Sequence, residues 1–169
     1  MGREHPPDRG RPDLGPAGCA VCRRLAGVTA DSEILHATCV AVGDQGLLIL
    51  GRSGSGKSSL AIRLLSLGAR LISDDRTRVE RVGDRLRASC PNPDLAGLIE
   101  ARGVGVLRAP ARTSVFLTLA ADLGQTETDR LPSRRSVTIL GVPLSLVLQV
   151  QNDHFPDALM LYLRHGRQA

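Results

Sequence analysis

The sequence has few aromatic residues and no long apolar run, and these absences disfavour several classes of protein. Of its 169 residues, two are Phe, one is Tyr and none is Trp. Proteins that bind single-stranded nucleic acid stack the bases on aromatic rings, so this class is disfavoured. No stretch approaches the ~18 apolar residues of a membrane-spanning helix, and the first residues lack the apolar core of a signal peptide. We therefore expect a cytoplasmic protein without a membrane partner.

Positive charge is present, but it is not concentrated in runs. The formal net charge is +5, which would permit an acidic partner or a nucleic acid. However, the arginines are scattered and largely alternate with Asp and Glu. Chains that bind nucleic acid through charge usually carry blocks of basic residues. The sequence therefore predicts no nucleic-acid partner.

The sequence has four cysteines, and their spacing favours reduced thiols. Cys19 and Cys22 form a C-x-x-C pair, but no second pair follows at the spacing of a zinc site. His5 and His36 remain as alternative zinc ligands. In a cytoplasmic protein these cysteines are expected to be reduced.

The composition divides the chain into two parts. Residues 1–32 are rich in Pro, Gly and Arg and have little apolar surface, which predicts a flexible tail. Residues 33–169 are long enough for one folded domain with a buried core.

The apolar pattern of this domain predicts short strands around one well-defined helix. The predicted strands have the sequences ILHATCVAV, LLIL, ARLISDD, TRVERV, RLRAS, SVFLTLAA, SVTIL and PLSLVLQV. The main helix is KSSLAIRLLSLG, whose apolar spacing gives it one buried face, and a short helix is expected in HFPDALMLYLRH. The segment IEARGVGVL reads as irregular. We therefore expect an α/β fold with a strand-rich mixed sheet around the helix.

The stretch between the second strand and the helix matches the phosphate-binding loop G-x-x-x-x-G-K-S. Its backbone N–H groups and the helix amino end attract phosphate oxygens. Lys57 is the only lysine among the 22 Lys and Arg residues, and it would reach the β- and γ-phosphates, while Ser58 would ligate Mg²⁺. The predicted nucleotide-binding residues are Gly51, Arg52, Ser53, Gly54, Ser55, Gly56, Lys57, Ser58 and Ser59.

Two acids follow the next strand, one helix and one strand after the loop. We expect the strand before Asp74 and Asp75 to lie beside the loop strand and parallel to it, so that both end at the same sheet edge. There one acid can hold Mg²⁺ and another can accept a proton from an attacking hydroxyl. Consecutive strand residues point to opposite faces, so the two acids should differ in role. The alternative is a solvent-facing pair that caps the strand.

These features together resemble a known family. HATCVAVGDQGLLILGRSGSGKSSLAIRLLSLGARLISDD, followed by IEARGVGVL, resembles the catalytic domain of HPr kinase/phosphorylase, the bifunctional serine kinase of the bacterial sugar phosphotransferase system. The shared order is a His, the loop, one helix, the Asp pair and an E-x-R-G-x-G signature. The resemblance covers roughly residues 35–150 and implies the P-loop fold of the HPr kinase and PEP carboxykinase type. The chain resembles the short alphaproteobacterial form of the family, which lacks the separate amino-terminal domain.

The resemblance also implies roles for individual residues. Asp74 would deprotonate the target serine and, in reverse, protonate the leaving serine when inorganic phosphate attacks phosphoserine. The implied catalytic residues are Asp74, His36, Lys57 and Arg130. Arg102 would join the nucleotide-binding residues. The implied metal-placing residues are Ser58, Asp75 and Glu100.

The sequence therefore predicts an ATP- and Mg²⁺-dependent serine kinase. Its expected partner is an HPr-like phosphocarrier protein, with reverse phosphorolysis of the phosphoserine, and a homo-oligomer is compatible with the resemblance. A P-loop does not choose the acceptor. Two alternatives therefore stay open: a small-molecule P-loop kinase or NTPase, and a non-catalytic ATP-sensing module.

Overall fold

The computed structural model of the chain describes Met1 and residues 31–168. Apart from Met1 and residues 31–32, the predicted tail falls outside the described residues, and so does its cysteine pair, Cys19 and Cys22. The first strand begins at Ser32. Neither α-helix in the described part of the chain is long and apolar enough to cross a membrane.

Eleven strands and two α-helices make up the described residues, together with one short 3-10 helix, Pro93–Leu95. In chain order they are β1 (Ser32–Leu35), β2 (Thr38–Val42), β3 (Gln45–Leu50), α1 (Lys57–Ser66), β4 (Arg70–Ser73), β5 (Thr77–Val82), β6 (Arg85–Ser89), β7 (Leu98–Ala101), β8 (Gly105–Arg108), β9 (Ser114–Thr126), β10 (Arg135–Ile139), β11 (Val142–Gln149) and α2 (Phe155–His165).

Nine of these strands form one mixed sheet, which confirms the predicted α/β class. Its order is β1-β5-β6-β9-β3-β2-β4, with β11 on β9 and β10 on β11. The 13-residue strand β9 is its centre, because it runs parallel to both β3 and β11 and antiparallel to β6. β7 and β8 form a separate two-stranded hairpin.

The sheet is covered on both faces, and this explains its continuous apolar strands. Every residue of β2 is buried. Val40 packs in a cluster with the two helices, whereas its neighbours Cys39 and Ala41 pack on the opposite face with residues of β5 and β6. Strands buried on both faces do not show the apolar–polar alternation of a half-exposed sheet.

One predicted strand is two strands in the structure. The run ILHATCVAV breaks at His36 and Ala37, where the Ala37 amide donates to the Leu35 carbonyl at 3.0 Å. β1 pairs with β5, whereas β2 lies between β3 and β4. Because both halves of the run are apolar, periodicity alone does not reveal a break at which the chain changes partner strands.

The prediction for β4 is right about the direction of the strand but wrong about which strand lies beside it. β2 is antiparallel to both β3 and β4, so β4 runs parallel to β3 but is separated from it by β2. The β2–β3 hairpin already occupies the place beside β3 on that side. Because parallel strands end at the same edge whether or not they touch, the acids after β4 still lie at the loop end of the sheet.

Two further segments differ from the expectation. IEARGVGVL, read as irregular, forms the β7–β8 hairpin, with the chain turning at residues 102–104. β9 continues to Thr126, through polar residues expected to be a loop. Pairing with β11 along this stretch provides hydrogen bonds that the local sequence does not encode.

Candidate active site

The phosphate-binding loop connects β3 to α1, as predicted. Gly51 begins it in a place where no side chain fits, because a Cβ there would lie 2.5 Å from Ser55 Oγ and 3.2 Å from Leu123 Cβ. Gly56 ends it as the amino-terminal cap of α1 with φ 93°, a left-handed conformation that favours glycine. The loop's glycines therefore serve close approach and backbone geometry.

Lys57, the first residue of α1, is held by three acceptors. Its ammonium donates to the carbonyls of Gly51 and Arg52, both at 3.0 Å, and contacts His36 Nε2 at 3.1 Å. The side chain is well enclosed, and the residue is only 6% exposed. The acceptors point the ammonium into the loop where a bound phosphate would lie.

His36 joins Lys57 to one of the predicted acids. Because an ammonium only donates, His36 Nε2 must accept from Lys57, and the ring hydrogen then lies on Nδ1. Nδ1 is 3.1 Å from Asp75 Oδ1, so it donates to that carboxylate. Asp75, His36 and Lys57 therefore form one hydrogen-bonded chain, which we call the acid–histidine–lysine chain.

Asp74 has a different set of contacts from its neighbour. Its Oδ1 accepts hydrogen bonds from Thr38 Oγ1 at 2.8 Å and Ser58 Oγ at 2.9 Å, and its Oδ2 accepts from the Glu100 amide at 3.2 Å. These donors come from β2, α1 and β7. Asp74 therefore ties three elements together beside the loop.

Asp75 lies in a tight turn directly after β4. Its φ of 63° is in the left-handed region, which few non-glycine residues occupy. The Arg76 amide donates to the Asp74 carbonyl at 2.7 Å across this turn, and Ser73 Oγ donates to the Arg76 carbonyl. The side chain remains 67% exposed. Unusual backbone conformations often occur at functional sites, where the surrounding structure holds them.

A cavity of about 200 Å³ opens over the loop and brings most of the predicted residues together. Its lining consists of His36, Ser53, Gly54, Gly56, Lys57, Ser58, Ser59, Asp75, Glu100 and Arg102. Glu100 comes from β7, and Arg102 comes from the turn of the β7–β8 hairpin. Carboxylate and cationic side chains from distant segments of the chain thus meet at the opening of this cavity.

Five predicted residues do not line this cavity: Gly51, Arg52, Ser55, Asp74 and Arg130. Gly51 and Arg52 contribute carbonyls to Lys57, and Asp74 contacts Ser58 from behind. Arg130 is exposed in the loop at residues 127–134, between β9 and β10, away from the lining. Arg130 is therefore not one of the cavity-lining residues, and its catalytic role stays a prediction.

A second cavity, of about 370 Å³, lies beside the loop, and sequence reasoning did not anticipate it. Ser55, Gly56 and Ser59 form one wall, and residues 149–153 together with Phe155 form the other. Ser55 Oγ is buried and, among the described residues, has no hydrogen-bond partner. A buried hydroxyl without a partner indicates a ligand or water that completes it.

Thr38 is a residue next to the site that sequence reasoning missed. It is fully buried in β2, and its hydroxyl bonds to Asp74 across 36 positions of the chain. A threonine in an apolar strand is an ordinary strand residue, so no local signal marks it. Only the pairing of β2 with β4 brings the two side chains together.

The donor set next to the loop fits a magnesium ion better than a protein-only metal site. The described residues contain no cluster of three or more His, Cys, Asp or Glu side chains able to hold a metal. Mg²⁺ usually takes one or two protein oxygens and completes its shell with substrate phosphates and water. Ser58 Oγ and the carboxylates of Asp74 and Glu100 supply oxygens of that kind.

The strand–loop–helix unit, with two acids at the same sheet edge, defines a P-loop-type α/β domain. The chain belongs to the family described as HPr Serine kinase C-terminal domain, whose model matches residues 28–146. This finding confirms the resemblance to HPr kinase/phosphorylase.

Individual relatives agree with this assignment. An HPr kinase/phosphorylase of Cupriavidus metallidurans is 33% identical over 135 residues, which cover 73% of this chain and 42% of the relative. One of Chromobacterium violaceum is 42% identical over 84 residues, which cover 49% of this chain and 26% of the relative. The chain thus spans between about a quarter and two fifths of the length of these curated relatives.

A solved structure shows the same fold. The Hpr(Ser) kinase/phosphatase from Coxiella burnetii matches with a TM-score of 0.66 and 22% identity, covering 78% of this chain and 88% of that chain. At this identity the match supports the architecture alone.

Proposed function

We propose that this chain is the catalytic domain of an ATP- and Mg²⁺-dependent serine kinase that phosphorylates an HPr-like phosphocarrier protein and reverses the transfer by phosphorolysis. The acid–histidine–lysine chain carries this proposal, because it holds an exposed carboxylate beside the lysine of a phosphate-binding loop. That pairing suits transfer of a phosphoryl group to a hydroxyl. The protein acceptor is proposed from the names of the relatives.

We assign the proton transfer to Asp75, whereas the resemblance assigned it to Asp74. A base needs access to the incoming hydroxyl. Asp74 already accepts three hydrogen bonds and does not line the cavity, whereas Asp75 lines it and is largely exposed. The contacts therefore favour an exchange of the two roles, with Asp74 as the metal-side acid.

The forward reaction places the acceptor serine at the mouth of the cavity. As the serine oxygen bonds to the γ-phosphorus, the Asp75 carboxylate accepts the serine proton and the bond from the γ-phosphorus to the ADP oxygen breaks. In reverse, an oxygen of inorganic phosphate attacks the phosphoserine phosphorus, and the Asp75 carboxyl returns its proton to the leaving serine oxygen. The products of that direction are serine and pyrophosphate.

Positive charge around the transferring group comes from two elements. Lys57 exchanges its loop carbonyls for phosphate oxygens when nucleotide binds, and Arg102 faces the same cavity from the hairpin turn. Such preorganised charges stabilise the transition state more than the ground state. Ser58, Asp74 and Glu100 would hold Mg²⁺, which neutralises charge on the β- and γ-phosphates.

The second cavity is our proposed site for the nucleoside. It begins at Ser59, which follows the metal-side serine along α1, and it combines apolar walls from Leu123 and Phe155 with the polar side chain of Asn152. Nucleoside pockets combine apolar surface with a few polar groups in this way. Ser55, whose buried hydroxyl has no partner among the described residues, lines the same cavity.

Phosphorylation of purified HPr tests the proposal. We expect label transfer from ATP to a serine of HPr, reduced about a hundredfold or more in Lys57→Ala and in Asp75→Asn, because each removes a group that acts in the transition state. Asp74→Asn should mainly raise the Mg²⁺ concentration needed for half-maximal rate. Asp44→Asn, in the exposed turn of the β2–β3 hairpin, is the matched control and should behave as the wild type.

Three results would contradict the proposal. Label on a small molecule with none on protein would indicate a metabolite kinase. Tight ATP binding without phosphate release or labelling would indicate a sensing module. An Asp75→Asn variant that keeps its rate, while Asp74→Asn loses it at saturating Mg²⁺, would return the base to Asp74.

A further inference from the structure

The β7–β8 hairpin exposes apolar side chains next to the catalytic cavity. Val104, in its turn, is 75% exposed, and Val106, in β8, is 67% exposed. The hairpin pairs with no other strand in the described part of the chain. Leu107, next to Val106, is 40% exposed as well, so one short hairpin exposes three apolar side chains, and clustered exposed apolar surface marks an interaction site.

The register of the hairpin places this surface on the cavity side. Val106 pairs with Glu100, and directly opposed residues of an antiparallel pair lie on the same face. Glu100 lines the cavity. The other face carries Ile99 and Ala101 of β7, which are buried, and Leu107 of β8, which is 40% exposed. The inner face thus anchors the hairpin, and the outer face is free for a partner.

Two arginines border the exposed valines. Arg102, in the turn, lines the cavity, and Arg108 lies two residues beyond Val106 on the same face of β8. Both arginines are exposed. We call Arg102, Val104, Val106 and Arg108 the hairpin face. It combines an apolar centre with a cationic border, which favours a partner with the opposite charge around an apolar patch.

Three other exposed apolar residues of the described chain lie on elements that do not line the catalytic cavity. Ile34 lies in the edge strand β1, Val82 at the distal end of β5 and Leu161 on α2. Single exposed apolar residues are normal on a protein surface. The hairpin face differs because it continues directly into the catalytic opening.

We propose that the hairpin face docks the protein that bears the acceptor serine. This inference rests on the proposed function and adds to it the surface that selects the partner. A cavity of about 200 Å³ admits a side chain but no folded domain, so a protein acceptor must lie across its rim while its serine reaches Asp75. The hairpin forms part of that rim. The matching acceptor carries an apolar side chain close to its serine, bordered by carboxylates.

The test measures binding and transfer separately, with purified HPr as the probe. Val104→Thr/Val106→Thr keeps side-chain shape and strand preference but removes apolar surface, and Arg108→Glu reverses the border charge. We expect each to raise the KM for HPr about tenfold, with kcat changed less than about twofold, because the loss affects docking and not the chemical step. HPr binding by calorimetry should weaken in parallel.

Matched controls come from elsewhere on the surface. Val82→Thr is the same change at an exposed position distant from the cavity, and Arg70→Glu is the same charge reversal at the start of β4. Both should keep the wild-type KM. Molecular mass from light scattering should be unchanged in all variants.

Each of the other outcomes contradicts either the docking proposal or the proposed function. Hairpin variants that bind HPr as tightly as the controls overturn the docking proposal and leave the kinase function intact. HPr that does not bind the wild-type protein also overturns docking. HPr that binds through the hairpin but receives no label overturns the proposed function alone. A change of mass in the hairpin variants shows that the face joins copies of this chain instead.

Discussion

At the scale of single residues, two adjacent aspartates have separate environments. Asp74 is held by Thr38, Ser58 and the Glu100 amide, whereas Asp75 meets His36 at the cavity mouth. The left-handed conformation of Asp75 turns the backbone sharply after β4 and separates the two side chains. A hydrogen-bonded carboxylate behind Ser58 and an exposed one at the cavity mouth suit a metal-side acid and a base, respectively.

Thr38 offers a test of the Asp74 assignment. Thr38→Val keeps the shape of the buried side chain but removes one donor to the Asp74 carboxylate, which we propose holds Mg²⁺. Groups that orient a metal ligand affect metal affinity strongly. We expect the Mg²⁺ concentration for half-maximal transfer to rise about tenfold, with an unchanged KM for HPr.

The conservative variant separates positioning from packing. Thr38→Ser retains the hydroxyl and should restore the wild-type Mg²⁺ requirement. Equal Mg²⁺ dependence of the Val, Ser and wild-type proteins would contradict the positioning role.

At the scale of elements, Glu127 holds the start of the loop between β9 and β10 in place. This carboxylate is only 7% exposed, and it accepts from the amides of Thr128 and Asp129 at 3.0 and 3.1 Å and from the Arg135 guanidinium. The Asp129 amide in particular holds the pKa of Glu127 below its ordinary value, with Arg135 acting in the same direction against the effect of burial. The loop that carries Arg130 is therefore held by hydrogen bonds at its start.

Acidification should weaken the contacts that Glu127 makes at the start of the β9–β10 loop. Because the folded-state pKa of Glu127 is lowered, its contribution to stability is present above the ordinary value of 4.5 and is lost as pH falls through the folded-state pKa. We expect the amide resonances of Thr128 and Asp129 to titrate together with a midpoint below 4.5.

Glu127→Gln supplies the comparison for that titration. It cannot ionise, so the shared acid transition of the two amides should disappear from its spectra. A midpoint at or above the ordinary value in the wild-type protein would contradict the inferred contacts.

At the scale of the whole molecule, β9 unites the sheet. It pairs with β6 in its first residues and with β3 and β11 further along, so it connects the β1-β5-β6 part to the β3-β2-β4 part that carries the site. Its Leu119 is fully buried in the cluster that also contains residues of both helices. The site therefore depends on a core that belongs to the entire domain.

Leu119→Ala tests this dependence. Loss of a fully buried leucine should lower the free energy of unfolding by about 2–5 kcal/mol, measured by urea denaturation. Leu161→Ala, at an exposed position of α2, should change it by less than about 0.5 kcal/mol. Two separate unfolding transitions in the wild-type protein would contradict a shared core.

Much of the fold was predictable where local chemistry decides it. The P-loop, the helix after it, the β2–β3 and β5–β6 hairpins and the final helix all follow from continuous patterns of apolar residues and glycine. The break at His36, the neighbours of β4 and the β7–β8 hairpin were not predictable. Each depends on which distant strand supplies hydrogen bonds, and local periodicity does not contain that choice.

By itself, the sequence determined the phosphate-binding loop, because the pattern from Gly51 to Ser58 is continuous and each residue acts within its own short segment. It also placed two acids at the same sheet edge. Only the tertiary structure decided that Asp75 joins His36 while Asp74 joins Thr38. The physical reason is that these contacts form across turns and strand pairings, where a single left-handed residue reverses which acid faces the opening.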